Sequence, residues 1–149
     1  MLQHNGRITE LKPNEVFVYG ANLSWIQGAG AAKQALKFGA VYGRGGLVGQ
    51  TYGIPTKDKN IKTLPLSEIK HYIDIFEGVV RDRQDLTFLL TSIGTGLAGY
   101  TVQEIAPLFV NFAFATNVVW PYEFAKELQE RYSDLFAKTK TYDLFPAFS

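Results

Sequence analysis

The sequence predicts an α/β fold, and two observations carry that prediction. Short runs of β-branched and aromatic residues alternate with longer stretches whose apolar residues fall at helical spacing. Two of those runs, Val16 to Tyr19 and Leu86 to Leu90, empty into glycine-rich loops that are followed by helix-forming residues. Strand, loop and helix in that order build a sandwich on a largely parallel sheet, with ligand loops at the carboxyl ends of the strands. No internal repeat or low-complexity linker interrupts the 149 residues, a length that suits one domain with its own core.

Taken in order, the chain begins with a short lead containing Gly6, Arg7, Ile8 and Thr9. The first strand is expected at Val16 to Tyr19, entered from the turn signal Lys12, Pro13, Asn14. It empties into the loop Gly20 to Gly30, and a helix is expected over Ala31 to Lys37 with Gly39 as its C-terminal cap. Gly39 to Gly53 shows no clear period and reads as loop, with a short strand near Thr51 to Ile54 and a polar loop from Pro55 to Asn60. Ser67 is expected to cap a helix in which Ile69, Ile73, Phe76 and Val80 share a face opposite Lys70, Asp74, Glu77 and Arg81.

Leu86 to Leu90 reads as a strand buried on both faces, hence one in the middle of the sheet. After the glycine loop Gly94 to Gly99, Thr101 and Glu104 have the spacing of a capping box, and Pro107 is expected to bend the helix they start. Asn117 to Trp120 reads as another strand, and Pro121 as the opening of a helix with Phe124, Leu128 and Leu135 on one side. The last segment, Thr139 to Ser149, carries Tyr142, Leu144, Phe145 and Phe148. It is expected to dock on this domain or on a second copy of the chain, which keeps a homo-oligomer among the expectations.

Composition excludes several classes. The sequence contains no cysteine, which removes disulfides, thiolate catalysis and sulfur-ligated metal sites. Fifteen basic and 14 acidic residues leave a formal charge of +1, so nothing suggests the basic face of a nucleic-acid-binding protein. The opening MLQHNGRITE lacks an apolar signal core, and the apolar stretch Leu108 to Trp120 is broken by Asn111, Thr116 and Asn117. A cytoplasmic protein with no membrane partner is the expectation.

The two glycine loops point to a phosphate. Glycines let backbone amides approach an anion, and a helix start behind the loop adds partial positive charge. GTGLAG has the G-x-G-x-x-G spacing of a dinucleotide-binding strand-to-helix turn, and Glu123 lies near the place of the ribose-binding acid of that motif. A Rossmann first strand normally opens its domain, however, whereas this one comes late in the chain. The first loop lacks the G-x-x-x-x-G-K-S/T order of a P-loop. Asn22, directly after a strand, is either a turn residue bonding its own backbone or a bidentate hand for sugar hydroxyls, and two loops on one rim favour the hand. Asp58 is the weak catalytic candidate, a general base set against the commoner reading of a solvated polar loop. His4 and His71 are isolated, and Ser24, Ser92 and Thr95 lack a paired histidine, so neither a metal site nor acyl transfer is expected.

Four segments in order, GRIT, VFVYGAN, GAGAAKQAL and TFLLTSIGTGLAGY, resemble the macro domain. The family pattern runs G-D-I-T, an apolar strand ending in asparagine, G-G-G-V before a helix, and an apolar strand ending in S-T-G-I-x-G-Y/F. The chain resembles more closely still uncharacterised phage and bacterial macro-like proteins with V-F-x-G-x-N-L, G-A-G-A-A and I-G-x-G-L-A-G segments. The resemblance implies a three-layer sandwich with a largely parallel or mixed central sheet, and a cleft for ADP-ribose or a related nucleotide. It implies Asn22 near the distal ribose and Gly28, Ala29 and Gly30 beside that ribose and phosphate. Gly94, Thr95, Gly96, Leu97, Ala98 and Gly99 would wrap the diphosphate, with Ile93 among the ligand-binding residues and Tyr100 covering the ribose. The chain departs from the pattern at Arg7, which replaces the aspartate that reads adenine, and at Gly20, which replaces an alanine-type residue. The expected function is ADP-ribose binding for recognition or sequestration, without cofactor or metal. The alternatives are a hydrolase of ADP-ribosyl or phosphorylated-ribose bonds and an interaction protein that binds no nucleotide.

Overall fold

In the computed structural model, which describes residues 1–145, a seven-stranded sheet runs through the middle of the molecule. Its strands are β1 (Leu2–His4), β2 (Glu15–Asn22), β3 (Leu47–Val48), β4 (Thr51–Lys57), β5 (Thr87–Leu90), β6 (Val118–Pro121) and β7 (Lys140–Thr141). They lie in the order β3-β4-β2-β5-β6-β1-β7, so β5 is the middle strand. Every pairing is parallel except β3 with β4. Phe88, Leu89 and Leu90 of β5 are fully buried, as a strand covered on both faces requires.

Side-chain alternation divides the core into two layers. Val16 and Val18 of β2, Phe88 and Leu90 of β5, and Val118 and Trp120 of β6 point to one face. There they meet α2 (Leu66–Asp82), the segment after the second glycine loop, and α4 (Tyr122–Arg131). Phe17, Tyr19, Leu89 and Val119 point to the other face, which is covered by α1 (Gly30–Ala35) and the residues after it. The result is a three-layer α/β sandwich. Ile69, Ile73, Phe76 and Val80 of α2 are completely buried, each contributing about 1.5–3 kcal/mol from leaving water.

Several elements differ in detail from the sequence reading. Pro65, not Ser67, stands at the N-cap of α2, and no side chain caps it. The helix over Ala31 to Lys37 is α-helical only as far as Ala35 and tightens into a 3₁₀ turn at Leu36–Phe38, closed by Gly39 at φ 104°. Thr101 and Glu104 do form a capping box, but α3 (Val102–Ile105) is a single turn. Pro107 changes the helix type instead of bending it: Ala106–Phe114 continues as 3₁₀, with the proline in its first positions, where no N–H is needed. Leu135 lies beyond the end of α4 and is exposed. β4 runs through Pro55 to Lys57 where a loop was expected; β3 pairs only with Thr51 and Tyr52, so the proline faces no partner on that side.

The strands β1, β3 and β7 were not expected. β7 lies beside β1, and Tyr142 and Leu144 pack against the second core layer. Phe148 lies outside the described residues. No described helix is long and apolar enough to cross a membrane.

Candidate functional site

A cleft of about 450 Å³ opens at the carboxyl ends of β2, β4 and β5, within the size range of small-molecule sites. Gly20, Ala21 and Thr56, at the ends of two neighbouring strands, line it together with both glycine loops. A Cβ on Gly20 would come within 3.3 Å of Thr56 Oγ1, so the missing side chain belongs to the close pairing of these strands. Lys57 is the one charged side chain among the described residues that line the cleft.

The first loop is built by Asn22. Its Oδ1 accepts the N–H groups of Ser24 (3.0 Å) and Ile26 (3.3 Å), and its Nδ2 donates to the Ile26 carbonyl at 2.8 Å. Asn22 therefore lines the cleft while its amide organises the turn, with one Nδ2 hydrogen left over. Trp25, at φ 56°, lays its indole against Gly45 and Gly53, where any Cβ would fall 2.4 and 2.8 Å from the ring. That contact ties the loop to Gly45, in the chain between α1 and β4, and to Gly53 of β4 itself. Past it, the Gly28 and Ala29 N–H groups have no acceptor among the described residues.

The second loop folds on itself. Thr95 N–H donates to Ser92 O, Gly99 N–H to Gly96 O and Tyr100 N–H to Gly94 O, while Thr95 Oγ1 donates to Ser92 O at 2.7 Å. Gly94 has φ 75°, and a Cβ there would sit 2.8 Å from Ile105 Cδ1, so only glycine fits. Among the described residues, the N–H groups of Gly94, Gly96, Leu97 and Ala98 find no protein acceptor. Of these donors Gly94 is buried and Ala98 half-buried, while Gly96 and Leu97, like Gly28 and Ala29 on the first loop, are exposed; successive free N–H groups along a glycine loop can form a concavity for an electron-rich group. Ser92 Oγ donates to the Glu123 carboxylate, which brings an acid from the first turn of α4 to the edge of the cleft.

The structure brings Asn22, Gly28, Ala29, Gly30, Gly94, Gly96, Leu97 and Ala98 together around the cleft. Four residues expected with them stand elsewhere. Ile93 is buried in the core, and Thr95 and Gly99 shape the loop without lining the cleft. Tyr100 packs against the core and donates its hydroxyl to Leu64 O at 2.6 Å, away from any ribose in the cleft. Asp58 does not line the cleft either; its Oδ1 accepts the N–H groups of Asn60 and Lys62 at 2.8 and 3.0 Å. Arg7 also lies outside it. His4 is buried, accepts the Gly6 N–H at Nδ1 and donates from Nε2 to Leu90 O at 2.6 Å, so both its nitrogens are engaged structurally. Burial holds its pKa below the ordinary value, against the opposing pull of the Leu90 hydrogen bond and the nearby Glu123.

Sequence reasoning missed Ile26, Lys57, Ile61 and Ser92 as cleft residues. Of these, Ser92 stood next to the glycine loop and was legible by position; Ile61 carried no signal. No group of described His, Asp or Glu residues could hold a metal ion. In comparisons with known proteins, no protein-family model, no curated protein and no solved structure matches the chain.

Proposed function

We propose that the chain is a binding module for ADP-ribose or a related NAD-derived nucleotide, acting by recognition or sequestration. The observation that carries this reading is the row of unpaired backbone N–H groups that both glycine loops bring to one cleft, with Lys57 as its charged side chain. Such a lining favours an anion that can receive several hydrogen bonds at once, as a diphosphate does. The likeness of four segments to the macro domain supplies the ribose and the nucleotide. A thermal-shift comparison tests it. ADP-ribose is expected to raise the melting temperature more than adenosine, with about 2.7 kcal/mol of added stability at a hundred times its Kd. Equal stabilisation by adenosine, or none by either, defeats the reading.

A second reading, hydrolysis of an ADP-ribosyl or phosphorylated-ribose bond, is favoured by the Glu123 carboxylate held against cleft-lining Ser92. A carboxylate there can take the proton of a water attacking an anomeric carbon. Chromatography of ligand recovered after hours of incubation separates the two. Unchanged ligand supports binding alone; turnover that Glu123→Gln stops supports hydrolysis.

A further inference from the structure

We propose that Ile26, Ile61 and Leu97 form an apolar collar that grips the uncharged ring of a nucleotide by its faces, without reading its edge. The proposal rests on the nucleotide reading above and adds how the base is held. The three side chains come from three separate loops, all line the same cleft, and remain 54%, 51% and 73% exposed. Aliphatic surface left in water around a concave site is surface awaiting an apolar partner. Unpaired N–H groups line the same cleft, so one ligand carrying both an anion and a flat ring satisfies both linings.

Backbone conformation shows that Ile61 is placed there at a cost. Its φ is 64°, the left-handed region that a β-branched residue avoids. Asp58 holds that conformation: its carbonyl accepts the Ile61 N–H at 3.1 Å, its own N–H donates to Lys62 O at 2.7 Å, and its carboxylate takes Asn60 and Lys62. The loop is then strapped to both walls of the cleft, because Ser24 Oγ donates to Lys59 O and Thr63 Oγ1 to Ala98 O, each at 2.9 Å. Strain that a surrounding network maintains beside a binding cleft is a mark of function. Asp58 is on this account a positioning residue for Ile61.

None of the three collar side chains donates or accepts a hydrogen bond, and Arg7 does not line the cleft. The collar therefore distinguishes a ring from no ring, but not a purine from a pyrimidine. Titration calorimetry with ADP, UDP and inorganic diphosphate tests this on the intact chain. Wild-type protein is expected to bind ADP and UDP within about threefold of one another and diphosphate more weakly. Ile61→Asn is expected to weaken ADP and UDP about tenfold while leaving diphosphate unchanged. The ligand-free variant should melt no lower than wild type, because asparagine tolerates the left-handed region.

An equal loss for diphosphate, no loss for ADP, or a strong wild-type preference for ADP over UDP would each overturn the collar while leaving the nucleotide reading intact. So would a change of oligomeric state on sedimentation of Ile61→Asn, which would make the collar an interface between copies. If wild-type protein binds none of the three probes, the nucleotide reading itself falls and takes the collar with it.

Discussion

Two glycines two residues apart in the second loop have opposite physical roles. Gly96 is not at positive φ, and a Cβ built on it would meet nothing within 4 Å, whereas Gly94 has φ 75° and no room beside Ile105. Gly96→Val is therefore expected to keep the wild-type circular dichroism and cooperative melting while losing ADP-ribose binding, since its branched side chain obstructs backbone approach to the ligand. Gly94→Ala should instead lower stability by about 1–3 kcal/mol in urea denaturation, through both strain and overpacking. Equal stability losses in the two variants would show that the loop needs its glycines only to turn. The sequence shows both glycines as members of one motif and cannot separate them, because φ is set by how the chain returns to α3. Tyr100 was misjudged for a similar reason: proximity in sequence to the loop does not say which side of it the ring takes. Ile61 was illegible because its place in the cleft comes from a left-handed backbone and four hydrogen bonds around Asp58 and its neighbours, not from any residue pattern.

At the scale of elements, long periodic segments were legible and the shortest strands were not. α2 repeats its apolar face with four buried side chains, Ile69, Ile73, Phe76 and Val80, while β7 has two residues and β1 three, too few for any period. What holds β7 is a contact no local pattern encodes. Glu15, fully buried at the start of β2, accepts the Lys12 N–H at 2.7 Å and the Tyr142 hydroxyl at 2.5 Å. Burial, followed by the Glu15 carboxylate, pushes the Tyr142 phenol well above its ordinary pKa, so the hydroxyl keeps its proton throughout the neutral range. Tyr142→Phe removes one donor from a buried carboxylate and is expected to cost about 1.5–3 kcal/mol in chemical denaturation. Loss of the hydroxyl without a change in stability would mean that β7 is held by its backbone pairing with β1 alone. The α/β class was readable because strand, loop and helix repeat in the right order; the places of β1 and β7 were not, because their pairings join residues more than a hundred positions apart.

For the whole molecule, acid sensitivity follows from His4. Its folded pKa lies below the ordinary value near 6.5, so the unfolded chain takes up the proton first as pH falls. The stability this residue contributes is complete above pH 6.5 and is lost as pH drops from there through the folded pKa. Melting curves should therefore shift to lower temperature on acidification from pH 7.5, and His4→Gln, which retains an N–H for Leu90 O, should flatten that dependence. An unaltered pH profile in the variant would assign the acid sensitivity to other groups.

His4 also marks where the first strand ends up. Leu2 pairs with Val119 on one side and Lys140 on the other, so β1 closes between strands that follow it by more than a hundred residues. β2, β4 and β5, which form one side of the sheet and carry the cleft, can pair once residue 90 is available. β1, by contrast, has no neighbour until β6 exists, and lacks its second until β7 does. The half of the sheet that carries the cleft can thus assemble from residues 15–90, whereas the opposite side waits for residues 118–141, and that wait is the interval in which unpaired β1 is open to the wrong partner.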